Sequence, residues 1–131
     1  MIDHITLGSN NVLAASNFYD AILKTIGYER LTEEHEDNLG LVAVGYGHKD
    51  KAVFWICLPL EEGSQVTPSQ GTHIAFKAEN PEQVKMFYKT AMDNGAKDCG
   101  EPGPRPIYHE NYYAAYLYDL DGHKIEVVCR N

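Results

Sequence analysis

His4-Ile5-Thr6-Leu7, near the start of the chain, reads like His73-Ile74-Ala75-Phe76 in its second half. The spacing between these two stretches also carries Asn17-Phe18-Tyr19 onto Met86-Phe87-Tyr88. Near the end of each half, segment 50–55 corresponds to segment 121–126 at almost the same spacing. Because these matches occur in one order along the chain, they indicate a duplicated unit, although its period exceeds that of the familiar solenoid repeats.

Each half predicts one strand, one helix and three further strands. The second helix has clear end signals, with Asn80 as N-cap, Pro81 at the first helical position, Gln83 completing a capping box and Asn94-Gly95 after its last turn. The other segments carry β-branched or aromatic residues between Gly, Asp or Pro. The predicted ranges are a first helix over 12–26, strands over 30–35, 39–46 and 52–58, and strands over 96–99, 112–118 and 124–129.

The predicted fold class is α+β, with two βαβββ modules that form a curled mixed sheet around a central site and carry the helices on the outer face. One module alone would expose a sheet face, so we expect a single domain over 1–131. Module one is predicted at about 1–60, a polar linker at about 61–70 and module two at about 71–131. The predicted buried stripe of the first helix is Leu13, Phe18, Ala21 and Ile22. Segment 100–106 is rich in Pro and Gly and predicts a semi-rigid loop.

The composition narrows the classes of partner. Hydrophobic residues make up 44% and charged residues 23% of the 131 residues, which is typical of a globular protein. A net charge of -8 disfavours nucleic acid and anionic membrane surfaces and leaves a small molecule as the expected partner. The start of the chain lacks the pattern of a signal peptide, and the three cysteines form no CxxC pair. We therefore expect a cytoplasmic protein with reduced thiols.

Strand parity places three metal-binding side chains on one face. Side chains alternate along a strand, so when the apolar neighbours face the core, His4 and Thr6 lie on the opposite face. The same parity exposes His73 in the fifth strand and Glu126 in the last strand. Trp55 occupies the position in the first module that Glu126 occupies in the second. A pseudo-twofold arrangement would bring these side chains around one centre.

Two imidazoles and a carboxylate predict a site for one divalent metal ion. This set suits Fe(II) or Mn(II), with Zn(II) or Ni(II) as alternatives. Three protein ligands leave positions open for a substrate, as a catalytic site requires. The alternative interpretation is structural, because a single His in a strand usually makes a hydrogen bond and a single Glu usually faces solvent.

Four segments of the chain carry a family resemblance: 3–7, 17–19, 71–76 and 118–126. The last of them, Tyr118-Asp119-Leu120-Asp121-Gly122-His123-Lys124-Ile125-Glu126, is similar to the signature Asp-Pro-Asp-Gly-Asn-x-x-Glu, with Leu120 in place of Pro. Together they resemble the vicinal oxygen chelate superfamily over essentially the whole chain. That superfamily includes glyoxalase I, extradiol dioxygenases, fosfomycin-resistance enzymes and bleomycin-resistance proteins.

The resemblance implies paired βαβββ modules, a homodimer, and a substrate that chelates the metal through vicinal oxygens in lyase or dioxygenase chemistry. His4, His73 and Glu126 match three of the four ligand positions, and Glu126 would also be catalytic. The fourth position, acidic in glyoxalase I, is Trp55, which argues against isomerisation of a hemithioacetal. The remaining set resembles that of extradiol dioxygenases or fosfomycin-modifying transferases. Against the transferases, we expect no basic cluster near Glu126 that would hold a phosphonate.

The predicted pocket is aromatic. Parity in the seventh strand directs Tyr112, Ala114, Tyr116 and Tyr118 toward the cavity, which suits a planar or apolar ligand. The alternative is that these tyrosines pack at half-buried sheet positions. Arg105 could receive an anionic substrate or lie exposed in a surface connection. The predicted substrate-binding residues are Trp55, Thr6, Tyr116, Tyr118, Arg105 and His109.

Two classes of function follow from the sequence. The first is a metal-dependent enzyme. The second is a metal-independent binding or sequestering protein of the bleomycin-resistance type. A full set of ligands favours the enzyme, because a metal-free binder has no need of two His and one Glu at a common centre.

Overall fold

The computed structural model describes residues 1–131 and contains two compact units, 1–67 and 68–131, each with the order βαβββ. The boundary lies between Thr67 and Pro68, within the range predicted as a linker. The first unit comprises β1 (Ile5–Gly8), α1 (Val12–Lys24), β2 (Glu29–Glu36), β3 (Gly40–His48) and β4 (Lys51–Cys57). The second comprises β5 (His73–Lys77), α2 (Pro81–Asp93), β6 (Lys97–Pro104), β7 (Tyr113–Tyr118) and β8 (Lys124–Cys129).

Each unit has one open four-stranded mixed sheet, and the two sheets have the same topology. The strand orders are β1-β4-β3-β2 and β5-β8-β7-β6. In each sheet the first and last strands of the module are parallel neighbours, whereas the other pairs are antiparallel. Thr6 pairs with Trp55 in the first sheet, and Ala75 pairs with Glu126 in the second. The α+β class and the paired βαβββ modules are thus confirmed, and the sequence matches between the two halves hold in the strand register.

Helix α1 packs an apolar face on its sheet. The Asn11 side chain caps the helix by accepting a hydrogen bond from the Ala14 N–H at 3.0 Å. The buried residues of the helix are Val12, Ala15, Ser16, Phe18, Tyr19, Ile22 and Leu23. The prediction that Leu13 is buried is wrong, since it is 62% exposed. The buried stripe instead begins one residue earlier, at Val12.

Helix α1 is also shorter than predicted, ending at Lys24 rather than at residue 26. The backbone N–H groups of Thr25, Ile26 and Gly27 each bond a carbonyl three residues back, which tightens the last turn. Gly27 then adopts a φ of 87°, a conformation that glycine accepts without strain.

A hydrogen-bond network ties α1 to β2 and β3. Arg30 on β2 donates from Nε to Asp20 Oδ1 at 3.0 Å and from Nη2 to Asp20 Oδ2 at 2.7 Å. The hydroxyl of the buried Tyr46 on β3 lies 2.9 Å from Asp20 Oδ1 and 3.0 Å from the Ser16 carbonyl oxygen. Burial, followed by the nearby Asp20 carboxylate, raises the pKa of Tyr46, so its hydroxyl remains a donor.

Helix α2 has the predicted capping box. Asn80 Oδ1 accepts a hydrogen bond from the Gln83 N–H, and Gln83 Oε1 accepts one from the Glu79 N–H, both at 2.9 Å. Val84, Phe87 and Ala91 form the buried face of the helix. Neither α1 nor α2 is long and apolar enough to cross a membrane.

Strand β6 is longer than the sequence predicted. Segment 100–104 continues the strand and pairs with β7, so the prediction of a loop over 100–106 is wrong for most of its length. The pairing is irregular, with register shifts between Asp98 and Gly100 and between Gly100 and Gly103. An edge strand tolerates prolines because its outer N–H groups need no partner in the sheet.

Candidate functional site in the second unit

Glu126 is the central polar group of the second unit. It lies on β8 and is only 2% exposed, flanked by β5 and β7. Nε2 of His73 is 2.9 Å from Glu126 Oε1, and the Tyr112 hydroxyl donates a short hydrogen bond to Oε2. Each carboxylate oxygen therefore has its own partner, which offsets the cost of burying the charge.

Tyr112 and Tyr116 surround this carboxylate. Burial, and after it the hydrogen bond to Glu126, raises the pKa of Tyr112. Burial and the Glu126 charge likewise raise the pKa of Tyr116. Both phenols are therefore protonated at neutral pH, and Tyr112 acts as a hydrogen-bond donor.

A cavity of about 520 Å³ opens on this face of the sheet. Its lining residues are His73, Cys99, Gly100, Arg105, Tyr108, Tyr112, Tyr116, Lys124, Glu126 and Arg130. The volume is in the range of small-molecule sites. The cavity combines aromatic rings, three permanent cations and one buried carboxylate.

The cations lie against the tyrosine rings. Lys124 Nζ is 5.2 Å and Arg105 Cζ is 5.6 Å from the ring centre of Tyr116. Arg130 Cζ is 5.0 Å from the ring centre of Tyr112. Such distances are those of cation–π contacts.

The structure therefore places four of the predicted site residues around one cavity: His73, Glu126, Tyr116 and Arg105. Two others in the same unit do not line it. Tyr118 is 38% exposed, and a hydrogen bond with Cys99 raises its pKa. His109 is exposed and accepts a hydrogen bond from the Asn111 N–H at 3.1 Å.

The remaining predicted residues, His4, Thr6 and Trp55, belong to the first unit. Thr6 and Trp55 are adjacent across β1 and β4, and Trp55 lies against Gly45, where a Cβ would come within 3.0 Å of its indole. Exposed His4 precedes β1, and its Nδ1 is 2.7 Å from Asp3 Oδ1. This hydrogen bond and a second one from Lys51 lower the pKa of Asp3 to about 2. A carboxylate that accepts from Nδ1–H leaves Nε2 as the nitrogen with a free lone pair.

His73 and Glu126 offer two donor atoms at a spacing that suits either a hydrogen bond or a shared metal ion. Metal–nitrogen and metal–oxygen bonds of roughly 2.1 Å at a right angle place the two donor atoms about 3.0 Å apart. The separation of 2.9 Å between His73 Nε2 and Glu126 Oε1 agrees with this spacing. Neither unit on its own contains three or more His, Cys, Asp or Glu side chains grouped to hold a metal ion.

Lys124 and Arg130 are the residues that sequence reasoning missed. Strand parity contained the signal, because positions 124, 126, 128 and 130 share one face of β8 and its extension. The expectation that no basic cluster accompanies Glu126 is wrong. Arg105 lines the cavity together with these two residues. It is brought there by a closed loop, because its backbone N–H donates a hydrogen bond to the Tyr112 carbonyl oxygen at 2.7 Å.

Paired βαβββ modules with a carboxylate on the last strand define a class of protein, and comparison with known proteins identifies it. The model of the Glyoxalase/Bleomycin resistance protein/Dioxygenase superfamily matches residues 1–127. The chain therefore belongs to this superfamily.

Solved structures agree with this assignment. A glyoxalase/bleomycin resistance protein from Albidiferax ferrireducens T118 is 30% identical, with 98% of each chain covered and a TM-score of 0.82. A glyoxalase-related enzyme from Fulvimarina pelagi is 20% identical over 98% of this chain and 86% of that chain, with a TM-score of 0.73. A mutant glyoxalase I from Zea mays is 18% identical over 95% of this chain and 45% of its own, with a TM-score of 0.74. No curated protein gave a match.

Proposed function

We propose that the protein is a divalent-metal-dependent enzyme whose small substrate chelates the metal through vicinal oxygens, in lyase or dioxygenase chemistry. The observation that supports this most directly is the pair formed by His73 and the buried Glu126 at the cavity, whose donor atoms are 2.9 Å apart. His4, His73 and Glu126 are the proposed ligands. The proposed ion is Fe(II) or Mn(II), with Zn(II) or Ni(II) as alternatives.

The protein's own residues would prepare the site for this chemistry. The hydrogen bond from Tyr112 to Oε2 fixes the rotation of the Glu126 carboxylate and leaves Oε1 directed at His73. When bound, the metal ion would supply Lewis-acid polarisation of the substrate oxygens or activation of dioxygen. Glu126 is also the proposed catalytic residue, because it is the acidic side chain that lines the cavity.

The biological setting is part of the proposal. The net charge of -8 supports a small-molecule substrate rather than nucleic acid or a membrane surface. A cytoplasmic location and a homodimer are proposed with it, the first from the reduced-thiol pattern and the second from the family resemblance. Trp55, at the position equivalent to Glu126, favours dioxygenase-type chemistry over isomerisation that needs a second carboxylate.

The second candidate is a metal-independent binding protein of the bleomycin-resistance type. One observation favours it: each oxygen of Glu126 already has a protein partner, His73 Nε2 at 2.9 Å from Oε1 and the Tyr112 hydroxyl at Oε2. A buried carboxylate that is fully satisfied in this way needs no metal ion for stability.

Metal analysis separates the two candidates. Anaerobic reconstitution with Fe(II), Mn(II), Ni(II) or Zn(II) is expected to give about one tightly held ion per chain. His73→Ala and Glu126→Gln should lose the ion, because each removes a proposed ligand. His109→Ala is the matched control, since His109 is exposed and outside the cavity. Metal-free protein that keeps its ligand affinity in His73→Ala would support the binding protein instead.

A further inference from the structure

We propose that the cavity of the second unit recognises an organic anion, through a carboxylate or phosphate group held by Arg105, Lys124 and Arg130. This inference rests on the proposed function in one respect, namely that the substrate binds in the same cavity. The three side chains come from β8, from the residue after it and from the residue after β6, and all of them line the cavity.

None of these cations forms an ion pair with a carboxylate of its own unit. Four other basic residues, Arg30, Lys51, Lys85 and Lys89, form ion pairs with Asp or Glu. The nitrogen atoms of Arg105 that act as donors bond only backbone carbonyl oxygens, and Lys124 and Arg130 contact the faces of tyrosine rings. The positive charge around the cavity is thus available to a ligand.

Arg105 is held in place before any ligand binds. Its guanidinium donates to the carbonyl oxygens of Glu101 at 2.8 Å and Pro104 at 3.3 Å. It also lies over two glycines, because a Cβ on Gly100 or Gly103 would come within 3.3 or 3.2 Å of its nitrogens. A side chain fixed in this way loses little conformational entropy when it binds an anion.

The single carboxylate of the cavity does not cancel this charge. Both oxygens of Glu126 already have partners in His73 and Tyr112. Arg105 and Arg130 contact the rings of Tyr116 and Tyr112 and form no ion pair with Glu126. One buried carboxylate faces three permanent cations.

The first unit is an internal comparison. When segment 50–55 is aligned with segment 121–126 and the alignment is extended, Lys124 corresponds to Val53 and Arg130 to Pro59. A cavity of the first unit is lined by five acidic side chains and several apolar ones, without any Lys or Arg. The three cations around the cavity of the second unit thus stand out in a protein whose net charge is -8.

The tyrosine rings indicate what accompanies the anionic group. Tyr108 lies beside Tyr112, with ring centres 5.2 Å apart, and Tyr116 forms another wall of the same cavity. Such surfaces bury flat apolar groups. Small aromatic acids are therefore suitable probes.

Calorimetric titration of the metal-free protein of 131 residues tests the inference. The probes are benzoate, phenylphosphonate and the uncharged benzamide, which has nearly the shape of benzoate. Benzoate or phenylphosphonate should bind at least about tenfold more tightly than benzamide, and added sodium chloride should weaken the binding. Arg105→Gln, Lys124→Gln and Arg130→Gln should each weaken anion binding by about three- to tenfold and leave benzamide unaffected.

Lys97→Gln is the control variant, because Lys97 is an exposed lysine on β6 that does not line the cavity. An equal loss in Lys97→Gln, equal binding of benzamide, or no binding of either anion would overturn the inference. Urea unfolding of each variant establishes that it is folded. Reconstitution of the same preparations with metal keeps the two proposals apart. Anion preference in a protein that takes up no ion on reconstitution refutes only the metal-dependent function, whereas uptake of an ion without anion preference refutes only the anion site.

Discussion

At the scale of single residues, the hydrogen bond from Tyr112 to Glu126 is the contact in the site whose loss should lower the free energy of unfolding most. Tyr112→Phe would leave Oε2 of a carboxylate that is 2% exposed without its donor. We expect the free energy of unfolding to fall by about 1–3 kcal/mol, measured by urea denaturation. Tyr113→Phe is the matched control, because Tyr113 is the neighbouring residue on β7 and its side chain points to the other face of the sheet. Equal losses in the two variants would contradict the special role of Tyr112.

Residues also show where sequence reasoning succeeded in the site and where it did not. Strand parity was enough to direct His73, Glu126 and Tyr116 to one face, because a strand has a fixed period of two. The same rule applied to Lys124 and Arg130 would have found the cations. Arg105 and Tyr108 reach the cavity through a loop closed by a backbone hydrogen bond, which no periodicity encodes.

At the scale of elements, the network around Asp20 holds α1 on its sheet. Asp20→Ala removes both oxygens that accept from Arg30 and one partner of the buried Tyr46 hydroxyl. We expect a loss of about 1–3 kcal/mol in the free energy of unfolding, measured by urea denaturation. Glu33→Gln removes the exposed ion pair with the same Arg30 and the exposed contact with His35, and should change stability by less than about 0.5 kcal/mol. Comparable losses in the two variants would show that the network contributes no more to the free energy of unfolding than a surface ion pair does.

The elements were the most predictable level of the structure. The sequence repeat and the capping box of α2 were enough to predict the order of strands and helices, because both can be recognised in short stretches of sequence. Strand β6 was predicted too short, because its Pro and Gly residues normally interrupt strands and only its position at the edge of the sheet permits them. Leu13 was assigned to the buried face because neighbouring apolar positions in a short helix allow more than one stripe.

At the scale of the whole molecule, metal binding to the proposed ligands His4, His73 and Glu126 should stabilise the folded protein, because the ion binds only the folded state. The expected gain is about 2.7 kcal/mol at a metal concentration one hundred times the dissociation constant. Thermal unfolding with and without Mn(II) measures this increase. His4→Ala should abolish it, whereas His35→Ala, which changes another exposed histidine of the first unit, should keep it. An unchanged increase in His4→Ala would remove His4 from the ligand set.

The irregular pairing of β6 has a consequence for how the cavity admits its ligand. Two of the eight residues of this strand are prolines, and its register slips twice along β7, so few backbone hydrogen bonds secure the wall that leads to Arg105. Local opening of that wall costs little free energy compared with opening β8 in the middle of the sheet. Amide deuteration should accordingly proceed faster at Glu101 and Gly103 than at Ile125 and Val127. The carboxylate end of the cavity then stays fixed, while β6 and the guanidinium bonded to its carbonyl oxygens can move together to admit molecules of different girth.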